Sequence, residues 1–302
     1  MAITTSQIPA LLLPGVRAVK GLYREMDTQW KKIYDIGPSN MEAERTVHVR
    51  YLPLPQLKLA GTPTQFDNLA GQRFTWNHLH VVFSIGYAFT EEALDDNLYK
   101  AAFDASNLGL ARVFRQMKEI NGAAPLNTGN VLNSSVGGDN LALFATNHPV
   151  DGFTVPNTPI TQSGLNENTL AMANNMIRRF RDEAGLLISA QGKKLVVPVE
   201  QRHNAKRLID DEVRPGTTNR DIASLRENGD LSDPYVVMDF LTSPYAWFVL
   251  SDVGGLICLD RKPFRTEIQT DFSTNNLMVK GTERYYIGWD DWRVGVGVYP
   301  TN

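Results

Sequence analysis

The sequence predicts an α+β fold, and three observations carry that expectation. Helical periodicity is confined to four separate stretches, the extended runs are short and hydrophobic, and no βαβ unit repeats along the 302 residues. There is no internal repeat and no low-complexity tract.

The elements follow in chain order. Val16, Val19, Tyr23, Met26, Trp30 and Ile33 are spaced by three and four residues, which places all six on one stripe of a helix beginning after Pro14. Arg17, Lys20, Arg24, Lys31 and Lys32 lie off that stripe, and Pro38 marks where the pattern has ended. Residues 46–51 alternate, with Val47 and Val49 on one face and His48 and Arg50 on the other. Residues 73–89 are rich in aromatic and β-branched side chains, as strands are. With the polar stretch 61–71 between them, the two runs read as one long hairpin, and Pro53 and Pro55 suit an edge strand. Fifteen residues of strand span about 50 Å. An isolated two-stranded hairpin is marginal in water, so this one is expected to rest on its own domain or on a neighbouring subunit.

Thr90 offers an N-cap with Glu91 and Glu92 in the first turn, and a helical period then runs from Leu94 to Ile120 before the Asn121-Gly122 pair. Thirty residues of helix are about 45 Å long. Residues 122–165 are crowded with Gly, Asn, Pro, Ser and Thr, and only 141–145 looks like a strand. So long an irregular stretch is expected to be functional or contact-making. Asn166 or Asn168 caps a helix carrying Met172, Met176, Ile177 and Phe180. A short strand at 194–197 stops at Pro198, a further helix covers 200–212, and a polar turn region holds Pro215, Gly216 and Gly229. Strands at 235–240, 246–250, 256–259, 264–270 and 277–299 complete the pattern.

Composition removes several classes. Thirty Lys and Arg against 33 Asp and Glu give a net charge of −3, which is not the balance of a protein that grips phosphate backbones. Apolar residues at 42% are too many for a disordered chain. Cys258 is the single cysteine, so neither a disulfide framework nor a Cys-based zinc site fits, and a reducing compartment is expected. The richest apolar stretch, 235–259, is broken by Asp239, Pro244 and Asp252 and is no membrane span. Residues 1–16 lack a positive n-region and contain Pro9 and Pro14, which is not the pattern of a secretory signal. These bounds describe a soluble protein of one large or two small domains.

Motifs for chemistry are absent or weak. Gly192-Lys193-Lys194 lacks the glycine and hydroxyl of a phosphate loop, Gly295 and Gly297 have no helix after them, and Ser134-Ser135 sits among turn residues. His78 and His80 share a strand face but have no third ligand nearby. His148, before Pro149, reads as a turn residue first and a base second. Asp290 and Asp291 would point to opposite faces of a strand unless a turn falls there. Arg178, Arg179 and Arg181, followed by Asp182 and Glu183, read as a solvated helix face. No set of residues meets the nucleophile, base and orienter test, so no enzyme, no cofactor and no metal is expected.

The order of short motifs resembles the major capsid protein of tailed bacteriophages, the Hong Kong 97-type fold, and within it the Mu-like major head subunit family. The motifs are Leu13-Pro14-Gly15-Val16-Arg17, Leu143-Phe144-Ala145-Thr146-Asn147-His148-Pro149, Leu195-Val196-Val197-Pro198 and Arg214-Pro215-Gly216-Thr217. Asp233-Pro234-Tyr235, Ser243-Pro244-Tyr245-Ala246-Trp247-Phe248-Val249-Leu250 and Arg284-Tyr285-Tyr286-Ile287-Gly288-Trp289-Asp290-Asp291-Trp292-Arg293 follow. The resemblance implies an N-arm at 1–44, an extended hairpin loop at 45–90, and a peripheral domain with a long spine helix starting at 91–165. It implies an axial domain at 166–255 and peripheral return strands at 256–302. It also implies a homo-oligomer of pentamers and hexamers, a virion shell assembled in the host cytoplasm around double-stranded DNA without sequence-specific binding or a membrane. A separate scaffolding protein, a portal and decoration proteins are the implied partners. The implied intersubunit contacts are Trp30, Lys58, Phe66, Leu69, Gly137, Gly138, Asp139 and Asn140. Lys58 by itself reads as a solvated edge lysine, and no pattern transfers the covalent cross-links of some members. Two alternatives share the sequence: an encapsulin-type nanocompartment shell, and a metal-dependent hydrolase using His148, Asp290 and Asp291.

Overall fold

A computed structural model describes residues 8–50, 71–96, 100–132, 138–209, 231 and 233–300, with 52, 54, 55, 57, 58, 60, 63, 64 and 66 between the first two stretches. Helix α1 (Ile8–Glu25) runs through Pro14 instead of starting after it, and buries Val16 and Val19 against Phe103, Phe114 and Phe264. The apolar stripe continues past Glu25, but the helix does not. The Glu119 carboxylate accepts the backbone N–H groups of Gln29 (2.9 Å) and Trp30 (3.1 Å), and the chain turns through a 3-10 segment, Trp30–Lys32. A distant carboxylate thus caps the turn and sends Trp30 into a different core from Val16.

Strands β1 (Asp35–Pro38), β2 (Ala43–Val49), β3 (Gln72–Leu79) and β4 (Val81–Phe89) follow. β2 and β3 pair antiparallel, from Ala43 opposite Leu79 to Val49 opposite Gln72. The single run expected over 73–89 is two strands meeting at His80, because β4 leaves the hairpin and joins another sheet beside β11 (Leu277–Trp289). The hairpin is correspondingly shorter than the 45–90 loop expected.

The long helix comes in two pieces, α2 (Glu91–Asp95) and α3 (Lys100–Asn127). Thr90 caps α2, its hydroxyl accepting the Ala93 N–H at 3.4 Å. α3 does not stop at Asn121-Gly122. Gly122 is an interior residue, and a Cβ there would lie 2.6 Å from the Cβ of Trp30, so the missing side chain lets the 3-10 segment lie against the helix. Residues 141–145 form no strand; the pairing nearby is β5 (His148–Val150) with β6 (Phe153–Val155). Asn166 caps α4 (Glu167–Ile177) in a reciprocal box with Thr169.

Two four-stranded sheets organise the rest. The first has the order β1-β10-β11-β4, where β10 (Leu256–Thr270) joins the expected strands 256–259 and 264–270 across two bulges near Lys262. The second has the order β12-β9-β7-β8, from β7 (Gly192–Val197), β8 (Asp233–Val237), β9 (Trp247–Ser251) and β12 (Gly295–Val298). The run expected over 277–299 is therefore split: β11 ends at Trp289, a 3-10 turn covers Trp292–Val294, and β12 crosses to the second sheet. Helix α5 is Arg202–Ile209, preceded by a 3-10 turn at Val199–Gln201, and residues 210–212 of the expected helix lie outside the described residues. Three cores result. One lies under α1 and α3, one around Trp30, Trp76, Phe248 and Trp289, and one around Leu170, Phe180, Trp247 and Trp292. Cys258 is buried in the second of these.

Candidate assembly surfaces

The β2–β3 hairpin is an arm rooted on the body by one apolar and one charged anchor. The apolar anchor is Trp76, fully buried, edge-on to Trp289 with ring centroids 6.4 Å apart. Gly138 completes it: its N–H donates to the Thr75 carbonyl at 2.9 Å, its φ is +78°, and a Cβ would lie 2.5 Å from the Trp76 ring. Only glycine satisfies both the dihedral and the approach. Next to it, Asp139 Oδ2 lies 2.6 Å from His148 Nδ1, with both side chains fully buried. The His148 ring stacks on Trp292 at 4.5 Å and 4°, and its Nε2 lies 3.2 Å from Asn157 Oδ1. The Asn157 amide donates to the Leu143 and Trp292 carbonyls at 2.7 and 2.8 Å. His148 is therefore a sealed tie between the irregular stretch and the turn before β12.

The charged anchor centres on Glu183, which sequence reasoning placed on a solvated face and which is buried. Arg293 Nη2 holds it at 2.8 Å and Arg73 Nε at 3.2 Å, and His48 Nδ1 stands 3.8 Å from Glu183 and 3.9 Å from Asp291. Burial works to raise the Glu183 pKa, but His48, Arg293 and Arg73 outweigh it and hold it below the usual carboxylate value. Burial works to lower that of His48, and the carboxylates of Glu183 and Asp291 hold it above the usual histidine value. Asp290 is pushed up to about 6 by burial and then by the charge of Asp291, while the Thr46 hydroxyl bonds to it. Asp291 caps the 3-10 turn, accepting the Arg293 N–H at 2.9 Å. A second buried cluster sits under α3: Lys118 Nζ reaches Glu283 at 2.7 Å and Asp260 at 2.8 Å, and the Tyr23 hydroxyl donates to Glu283 at 3.1 Å. Neither cluster was foreseen, because Glu183 is 110 residues from both Arg73 and Arg293, and Lys118 is 165 from Glu283.

Hydrolase chemistry gains nothing from this geometry. His148 has both ring nitrogens occupied and a tryptophan on its face. His78 and His80 each turn Nε2 to a separate hydroxyl, Thr46 at 2.9 Å and Ser39 at 2.8 Å. Among the described residues, no three His, Cys, Asp or Glu side chains are grouped to hold a metal. Among them also, no helix is long and apolar enough to cross a membrane.

The contact candidates divide. Trp30 is 1% exposed, so it packs its own subunit and has no face left for another. Gly138 and Asp139 are tied inward as described. Asn140, at φ +58°, is exposed. Lys58 is exposed and, among the described residues, bonds to Thr64 at 3.4 Å. Phe66 is 94% exposed. Leu69 and Gly137 lie outside the described residues.

The phage capsid protein family matches residues 81–298, across both sheets, α3 and the His148 tie. The chain belongs to that family. It is a major capsid shell protein of the Hong Kong 97-type fold, and its place is the virion capsid. The family assignment is coarser than the Mu-like grouping. No curated protein matches the subunit in sequence. Its fold is similar to the mature capsid of bacteriophage PhiM1, with a TM-score of 0.57 at 10% identity over 92% of this chain and 88% of that one. It is similar to a virus-like particle from Pyrococcus furiosus, with a TM-score of 0.53 at 9% identity over 95% and 98%. A structure of Microbacterium phage Oxtober96 gives 0.52 at 10% identity over 91% and 92%. At these identities the likeness is one of fold.

Proposed function

We propose that this capsid subunit packs as pentamers and hexamers into an icosahedral shell around double-stranded DNA, without sequence-specific binding and without catalysis. The observation that carries the reading is the arm: beyond its root, Leu57 and Phe66 are 91% and 94% exposed and belong to none of the cores formed by the described residues. Apolar side chains left so exposed on a shell-family subunit call for a neighbouring copy. In this reading α3 is the spine helix, the first sheet belongs to the peripheral domain and the second to the axial domain. Lys58, Phe66 and Asn140 are the contacts that reach outward. A scaffolding protein, a portal and decoration proteins complete the particle, which assembles in the host cytoplasm.

The test is assembly itself. Purified protein, alone or with its scaffold, is expected to sediment as megadalton particles visible by negative-stain microscopy. Changing Leu57 and Phe66 together to Ser is expected to shift it to free capsomers or monomers with the same circular dichroism. A native protein that stays monomeric under all assembly conditions overturns the reading. Co-purification of one defined enzyme inside the shell would instead indicate a nanocompartment.

A further inference from the structure

The charged anchor joins two bodies of opposite sign. The arm contributes bases: His48 and Arg50 from β2 and Arg73 from β3. The body contributes acids: Asp151 from the β5–β6 turn, Glu183 after α4, and Asp290 and Asp291 after β11. Arg50 pairs with Asp151 at 2.8 Å, and Arg73 binds Glu183 twice, at the carboxylate (3.2 Å) and at the backbone carbonyl (2.8 Å). His48 sits between Glu183 and Asp291, and Thr46 covers Asp290. From the body, Arg293 faces the same two acids, at 2.8 and 3.1 Å, and Asp182 lines the cavity of about 480 Å³ beside them. The apolar anchor, Trp76 and Gly138, lies further along the strand toward β4, and the His48 ring packs on Trp76 with centroids 4.3 Å apart.

We propose that this junction is a proton-operated latch: the outer part of the arm docks tightly when His48 carries a proton and loosens as that proton is lost. The sign follows from linkage. His48, raised when docked, contributes fully below its free value and loses that contribution as pH rises through the docked one. Glu183 works the other way, but its lowered value confines its effect to more acidic solution. Between about pH 5 and 8 the His48 contribution falls, its free value being 6.5 and its docked one higher. Because Trp76 is buried and residues 43–47 pair with 75–79 on its side of His48, residues 48–50 and 72–74 respond while 75–79 do not. The latch concerns a single subunit and stands apart from the shell reading.

Hydrogen–deuterium exchange of the full-length protein across this pH range tests it, with rates corrected for intrinsic chemistry and the β10–β11 ribbon as internal reference. Exchange in 48–50 and 72–74 is expected to be severalfold slower at pH 5 than at pH 8. His48→Gln is expected to flatten this pH response. Exchange that is independent of pH in the native protein, or an unchanged response in His48→Gln, overturns the proposal. Should a variant disturb folding, protection in the ribbon falls too, and the native profile alone then decides.

Discussion

At the scale of single residues, stability rests on side chains whose partners are far away in sequence. Lys118 is the clearest case. Burial disfavours its charge, but Glu283, Tyr23 and Asp260 outweigh that and raise its pKa. Replacing Lys118 with Met strands the Glu283 carboxylate, and a loss of about 3–5 kcal/mol in chemical denaturation is expected. Adding Glu283→Leu should restore much of it, which a double-mutant cycle measures. Gly138→Ala faces a left-handed φ and the Trp76 ring together, and is expected to cost about 1–3 kcal/mol. Asn166 was legible as a cap because its partners lie within four residues. Glu183 was not, because the arginines that bury it come from residues 73 and 293.

At the scale of elements, periodicity identified most of the pieces and misjudged where they stop. The stripe from Val16 to Ile33 is continuous, yet Glu119 on α3 caps the chain at Trp30 and divides the stripe between two cores. Residues 73–89 are continuously strand-like, yet β3 and β4 pair with different partners. Pairing is a property of the neighbour and leaves no mark on the run itself. Gly122 looked like a C-cap because glycine usually ends helices; here it is kept small by the Trp30 approach. Gly122→Leu is therefore expected to destabilise by overpacking, about 1–3 kcal/mol by thermal denaturation, although leucine is the better helix former.

At the scale of the whole molecule, the chain crosses between its two sheets more than once, and β12 makes the last crossing. It pairs Gly295–Val298 with β9 and buries Val296 and Val298 beside Trp247. A chain stopped after Val294 would leave β9 as an exposed apolar edge. Insoluble expression, or loss of the cooperative unfolding transition, is the expected outcome. The dependence extends to residue 298, where the family match also ends. It was also invisible from the sequence, where 277–299 reads as one strand. The overall order of motifs was legible all the same, since each marks a turn or cap set by nearby residues.

The sealed position of Cys258 bears on the use of this subunit as a material. Burial pushes its thiol up to about 12, far from the reactive thiolate form. Phe272, by contrast, lies fully exposed in the turn between β10 and β11. A Phe272→Cys subunit would thus present a single addressable thiol before assembly, and its labelling in the particle would show whether a neighbouring copy covers that turn.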